Sequence, residues 1–373
     1  MEWNQITGQD SLKKLLVESI NNHRISHAQL FVGKEGYGTL ALALAYAREV
    51  FRKENEAAAH KVDTLNHVDL HFSFPTFNDN KNSLSHRHYP LFRDMILSNP
   101  YSSFEDWVKI LDSENKQLYI SADEIDAQNQ KFTLKSFEGG HKILIIWRAD
   151  KMNTVAANKF LKFLEEPPKD TLILLTAEST GQMLDTILSR TQIIEVPRLK
   201  DEAITSYLSS KFSLDSTQLG SIAHRAQGDL NEAIQLAQSD DFDTEFQELF
   251  IQWVREAFMV FKRPELLANI IKWANTIAGW KKEKQKNFLT YCSEIFRQAL
   301  LQNYQRPDLV YSQLNLRNFN WDKFTEYIHG ANIESILQEL TDADYHLERN
   351  GNAKIIWTDM GIKLTRYLHR KAG

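Results

Sequence analysis

The sequence predicts an α/β domain of the phosphate-loop type with a parallel sheet, followed by a small helical lid subdomain and an all-α C-terminal domain. Three observations predict it. The first half carries four short, nearly unbroken apolar runs separated by helix-like stretches, a glycine-rich turn follows the first run, and the strand signal disappears after Lys200. Strands alternating with helices imply one sheet with helices on both faces. A chain of 373 residues exceeds one compact core, so two or three domains are expected. The boundaries read as 1–198 for the α/β domain, 199–240 for the small helical unit and 241–373 for the larger helical domain.

The runs "AQLFVG" (28–33), "KILIIW" (142–147), "TLILLTA" (171–177) and "QIIEVP" (192–197) suit strands covered on both faces. Helices are expected from about Thr39, after Ser121, and from about Thr154 to Glu165. Ser121 and Glu124 form a Ser-x-x-Glu capping box. The Thr154 helix places Phe160, Leu161 and Leu164 at helical spacing, and it ends where Pro167 disfavours helical geometry at Glu166. Beyond Lys200, "DEAITSYLSSKF" and "SIAHRAQGDLNEAIQLAQ" read as small amphipathic helices. After "SDDFD" (239–243), Phe246, Leu249, Phe250, Trp253, Val254, Ala257, Phe258 and Phe261 form a wide apolar face at a 3.6-residue period. Further helices follow, with breaks near Pro264, Pro307 and "NGN" (350–352). No internal repeat is visible, and the stretch from about Phe72 to Lys116, rich in His, Asn, Ser and aromatics, gives no clear pattern.

Composition excludes several classes. Apolar residues make up 42% and charged residues 25%, ordinary for a globular protein. No apolar run approaches the roughly 18 residues of a membrane span, and "MEWNQITGQD" lacks the regions of a signal peptide. The one cysteine, Cys292, allows no internal disulfide and no cysteine metal cluster, so the expected compartment is the reducing cytoplasm. A net charge of −5 argues against strong nucleic-acid binding by this chain alone.

The glycine turn "FVGKEGYGTL" (31–40) departs from a working phosphate loop, Gly-x-x-x-x-Gly-Lys-Ser/Thr. Gly33, Gly36 and Gly38 are present, but Thr39 and Leu40 stand where a lysine and a hydroxyl belong. The glycine backbone could still face an anion at a helix start. The absent lysine would place its charge about 4 Å from phosphate oxygens, worth on the order of 4 kcal/mol at an effective dielectric of 20. The absent hydroxyl would ligate Mg²⁺, which Leu40 cannot do. The strand "ILIIW" should end in a metal-binding Asp and, in hydrolytic proteins, an adjacent Glu; Trp147 and Arg148 are there instead. Four losses at matched positions indicate a site that does no chemistry, so neither nucleotide cofactor nor metal is expected. A lone glycine-rich turn is most often just a turn. A strand before, a helix after and a second strand with the complementary defect supply its context. An ATPase using Lys34 or Arg148 in place of the lysine is the competing reading, although Lys34 lies at the wrong end of the turn.

"NHRISHAQLFVG" (22–33), "ADKMNTVAANKFLKFLEEPP" (149–168) and "ILSRTQ" (187–192) resemble the clamp-loader branch of the AAA+ proteins, as found in the bacterial DNA polymerase III holoenzyme. The resemblance covers roughly Trp3 to Leu236, and "LEEPP" after an Ala-Ala-Asn helix is its specific signal. It implies a hetero-pentamer of ATPase subunits, a delta-type subunit and a rigid, non-hydrolysing subunit whose own nucleotide site is degenerate. That assembly opens a ring-shaped sliding clamp and closes it on primer-template DNA, and the C-terminal helical domain serves as its oligomerisation collar. The resemblance also implies a Ser-Arg-Cys motif that reaches a neighbouring ATP site. Ser189 and Arg190 match, and Thr191 replaces the cysteine. Arginine is the demanding position, because its planar, always-charged fork can stabilise charge on a γ-phosphate in trans. By spacing alone Arg190 reads as a surface salt bridge beside the strand at 192; the motif makes it an expected trans arginine finger. A scaffold subunit without a finger is a further alternative.

Three positions extend the comparison. Many proteins of that branch carry a four-cysteine zinc module after the loop helix, whereas residues 54–72 hold no cysteine. His60, His67 and His71 could be imagined as ligands, but "VDLHF" looks extended and scattered histidines read as surface residues. Asn231 stands where active members place a nucleotide-sensing arginine, and Thr176 stands where they place a polar phosphate sensor; without nucleotide, Thr176 reads as a satisfied strand-end hydroxyl. Lys159, Lys162 and Lys169 read as solvated, and no site is assigned to them.

Overall fold

The computed structural model describes residues 1–77, 84–113, 116–238, 240–306, 310, 313, 314 and 319–371. The chain divides into two compact units, Met1–Asp215 with Ile222–Ala237, and Ser216–Ser221 with Gln238–Gly373.

The first unit is built on five strands, β1 (Ala28–Val32), β2 (Leu70–Ser73), β3 (Lys142–Ile146), β4 (Thr171–Ala177) and β5 (Gln192–Glu195). They pair in the order β2-β3-β4-β1-β5, all parallel. Every residue of β1, β3 and β4 is buried. With both faces covered there is no solvent side to demand polar residues, so the sequence shows runs instead of alternation. Ala28, Leu30 and Val32 of β1 join Leu144, Ile146, Ile173 and Leu175 in one core against the helices Ala122–Thr133 and Thr154–Glu165. On the opposite face Gln29 donates from Nε2 to the Tyr46 hydroxyl, 2.9 Å away, within the helix Thr39–Glu54. β5 is an edge, and only Ile194 of its four residues is buried.

The helix Thr154–Glu165 starts at Asn153, whose side chain accepts from the Ala156 N–H, and stops at Glu166 before Pro167. Its buried face is Phe160, Phe163 and Leu164; Leu161 is only half-buried. The expected box at Ser121 forms by halves. Ser121 accepts from the Glu124 N–H, but the buried Glu124 carboxylate turns away to accept from the Ser85 N–H at 2.9 Å and the Ser85 hydroxyl at 2.5 Å. Glu124 thus caps the helix Ser85–Ser98, which contains Pro90 and was hidden from the pattern by it. The helix Phe104–Ile110 follows, with its own capping box between Ser103 and Asp106.

The second unit is helical: Asp240–Val260, Leu267–Ala278, Lys282–Asn303, Trp321–Thr325, Ile333–Glu348 and Ala353–Tyr367. Trp253 stacks on Trp273 with ring centroids 5.0 Å apart, and Trp357 meets Trp273 edge-on at 5.7 Å. The buried indole N–H of Trp357 is satisfied by Gln285 at 2.7 Å. The helix Asp240–Val260 begins inside the "SDDFD" stretch and buries Phe246, Phe250, Trp253, Val254 and Ala257 as its period predicts. Phe261 differs. The helix ends one residue earlier, and Phe261 is 70% exposed, lying against His369. The break at "NGN" is a left-handed Asn350 followed by Asn352 capping the last helix. The break expected near Pro307 lies outside the described residues. Cys292 is buried, and burial pushes its thiol pKa up. Among the described residues no helix is long and apolar enough to cross a membrane.

Candidate functional site

β1 lies between β4 and β5, so the turn leaving its carboxyl end stands where the chain's connections part to opposite sides of the sheet. Ligands of open α/β sheets bind in such crevices. The Gly33 N–H is tied to the Ala177 carbonyl at 3.0 Å. Gly38 is left-handed, at φ +98°, and precedes the helix Thr39–Glu54, a conformation that favours a residue without Cβ. Thr39 and Leu40 are buried in the helix's first turn.

The space about this turn is filled by the protein's own side chains. A Cβ on Gly36 would lie 1.7 Å from a carboxylate oxygen of Asp229, and one on Gly38 would lie 3.1 Å from the Tyr101 ring. Arg148, left-handed at φ +57° and almost fully buried, extends its guanidinium to Glu35 of the turn itself at 2.5 Å. It also holds Asp150 with two nitrogens, at 3.0 Å from Nε and 2.7 Å from Nη2, and approaches Glu178 at 3.1 Å. Burial opposes the arginine's charge, but the bonds to Asp150 and the charge of Glu35 outweigh it and raise the pKa. Burial raises the Glu35 pKa, with Arg148 opposing. Burial likewise raises that of Asp229.

Arg148 therefore reaches the turn, as the competing ATPase reading requires, but its donors are engaged by three carboxylates. Lys34 is exposed at the start of the turn. Trp147 is fully buried, packed on Phe92 at 5.4 Å within an aromatic cluster that includes Phe74 and Trp107. The Thr176 hydroxyl accepts from the Arg148 N–H at 3.1 Å. Asn231 is buried, accepting from Asn99 at 2.7 Å and donating to Asp106 at 2.8 Å.

Arg190 lies on the opposite side of β1, just before the edge strand β5. It is exposed; Nη2 is 2.7 Å from Glu165 Oε1, and Nη1 donates to the Thr186 carbonyl at 3.1 Å and the Ser189 hydroxyl at 3.3 Å. Ser189 in turn donates to the Thr186 carbonyl at 3.2 Å, and Thr191 to that of Ile187 at 3.2 Å. Lys159 pairs with Asp126, while Lys162 and Lys169 are exposed.

The histidines are not a surface set. His60 is exposed, but His67 is buried and stacked on Phe51 at 3.9 Å, and His71 on β2 meets Phe132 edge-on at 5.2 Å. Among the described residues no three His, Cys, Asp or Glu side chains gather so as to hold a metal ion. Burial, with Lys131 and Lys142 nearby, pulls the His71 pKa down to about 4. The unfolded ring, near 6.5, takes its proton first as pH falls. The contribution of His71 is thus complete above pH 6.5 and is lost as pH falls toward 4, by up to about 3 kcal/mol. Urea unfolding between pH 7 and 4 is expected to show His71→Phe with a shallower loss of stability than wild type. Equal slopes would show that the ring is not held neutral.

The residues that fill the turn were largely missed in the sequence. Glu35 and Asp150 carried a signal, since an acid inside an anion-facing turn and an Arg-x-Asp step both point to internal pairing. Asp229 and Tyr101 carried none, being set by packing between distant segments.

An all-parallel sheet with a glycine turn at the carboxyl end of its inner strand β1 defines an α/β domain of the phosphate-loop type. Residues 8–200 match the family described as DNA polymerase III, delta subunit, over more than half of the chain. The chain belongs to this family and is a delta-prime-like member of it. It is 30% identical over 241 residues to the DNA polymerase III subunit delta' of Bacillus subtilis, covering 63% of this chain and 60% of that protein. It is also 30% identical over 100 residues to the Haemophilus influenzae delta', 27% of this chain and 31% of that one. With the Mycoplasma genitalium subunit gamma/tau it shares 24% over 334 residues, 86% of this chain and 49% of that one. The chain thus spans about half to three fifths of the length of the Mycoplasma and Bacillus proteins. A gamma subunit-related protein of Thermotoga maritima superposes over 96% of this chain and 99% of its own, at 15% identity and a TM-score of 0.39, too loosely to carry any inference.

Proposed function

We propose that this chain is a non-catalytic subunit of the DNA polymerase III clamp loader. In this reading it assembles with ATPase subunits and a delta-type subunit in a hetero-pentamer that loads the sliding clamp on primer-template DNA, and it donates Arg190 in trans to a neighbouring ATP site. Its parts are an α/β domain over 1–198 with a degenerate phosphate loop, a helical lid over 199–240 and an oligomerisation collar over 241–373. The names of its relatives support the assembly. The observation that carries the non-catalytic half is Arg148, the buried cation that reaches the turn, held by Glu35, Asp150 and Glu178. A triphosphate entering there would meet carboxylates at Glu35 and Asp229, and like charges repel. Arg190 supports the trans half, because its guanidinium is exposed.

Calorimetric titration of the purified chain with Mg-ATP is expected to show no saturable binding at micromolar concentration. Micromolar binding abolished by Thr39→Trp would overturn the non-catalytic reading.

A further inference from the structure

We infer that Glu165 is a positioning residue for Arg190, holding the guanidinium in the direction it needs before a neighbouring phosphate arrives. The inference rests on the trans role proposed above and deepens it.

Glu165 is the last residue of the helix Thr154–Glu165, and Glu166 follows as its cap. Two carboxylates at a helix C-terminus face the negative end of the helix dipole, so the helix itself gains nothing from them. Both are exposed, and burial does not explain Glu165 either. What Glu165 does contact is Arg190, at 2.7 Å. On its other side the same guanidinium is held by the Thr186 carbonyl and the Ser189 hydroxyl through Nη1. These contacts come from two separate elements and grip the two terminal nitrogens, while Nε has no partner among the described residues. The fork is therefore oriented from both ends yet keeps donors to offer.

An exposed arginine otherwise samples many rotamers, and ordering it on contact subtracts from whatever it stabilises. Pre-orientation removes that loss, an effect of roughly two- to tenfold for one flexible side chain. The exposed pair is too weak to trap the guanidinium against a phosphate carrying several charges. Glu165 thus acts through Arg190 and touches no substrate.

The experiment is a double-mutant cycle in the fully reconstituted loader, with DNA- and clamp-stimulated ATP hydrolysis measured for wild type, Glu165→Gln, Arg190→Ala and the double variant. Glu165→Gln is expected to lower kcat two- to tenfold with KM for ATP unchanged, and to have no effect once Arg190 is alanine. Circular dichroism melting reports whether the substitution disturbs the fold, and an unchanged Tm with reduced kcat is expected. If Glu165→Gln leaves kcat unchanged while Arg190→Ala cripples it, the positioning role falls and the finger stands. Equal effects of Glu165→Gln in both backgrounds also overturn the positioning role. If Arg190→Ala itself leaves turnover unchanged, the finger falls and takes this inference with it.

Discussion

Replacing Arg190 with alanine is expected, on the proposed trans role, to slow stimulated ATP turnover of a reconstituted loader by roughly 10³–10⁵ at the neighbouring site, about 4–7 kcal/mol of transition-state stabilisation. The size follows from where the charge acts. As a γ-phosphoryl group transfers, negative charge spreads over its oxygens, and a guanidinium placed there meets it in a site from which water is excluded. The same substitution has almost nothing to disturb at home. Arg190 is exposed, and an ion pair such as that with Glu165 contributes about 0–1 kcal/mol. Assembly, measured by co-elution of all subunits, is therefore expected to persist while turnover collapses. Arg190→Lys is expected to recover only a small part, since an ammonium keeps the charge but lacks the planar fork. Unchanged turnover with Arg190→Ala would leave a scaffold without a finger.

Arg148→Ala should do the reverse, damaging the fold. Arg148 is almost fully buried and bound to Glu35 and Asp150, themselves buried. Removing one partner of a buried pair leaves uncompensated charge and destabilises by about 3–5 kcal/mol. For a unit of this size that lowers the melting transition by roughly 6–20 °C. The transition to follow is that of the first unit, because a chain of two units need not unfold in one step. Pairing Arg148→Met with both Glu35→Gln and Asp150→Asn is expected to recover part of the loss, since an apolar replacement with both buried partners neutralised avoids stranding a carboxylate. A melting point for Arg148→Ala within 2 °C of wild type would show that the guanidinium is not held as observed. Neither Arg148 variant is expected to gain nucleotide binding, because the lysine and the metal-binding carboxylate are still missing.

Much of the fold was legible because its signals are local. β1, β3 and β4 show as apolar runs since each strand needs the same side-chain chemistry along its whole length. β2 was visible only as an extended stretch. It has four residues, two of them His71 and Ser73, and its burial comes from neighbours in space. The helix Ser85–Ser98 was illegible because Pro90 interrupts the expected donor pattern. Ser121 and Glu124 have a capping-box spacing, yet Glu124 serves Ser85, 39 residues away. A carboxylate buried between two helix starts takes the better donors, and spacing cannot show which those are.

By itself, the sequence determined the succession of strands and helices, the absence of the phosphate-gripping lysine and hydroxyl, and the presence of Ser189-Arg190 ahead of the strand at 192. Periodicity, propensity and residue identity are properties of neighbours along the chain, so they survive without coordinates. Only the tertiary structure decided that Arg148 closes on Glu35 across 113 residues, that Asp229 lies against Gly36, and that Glu165 meets Arg190. Charges pair according to distance and desolvation, and both are set only when the sheet and its helices have packed.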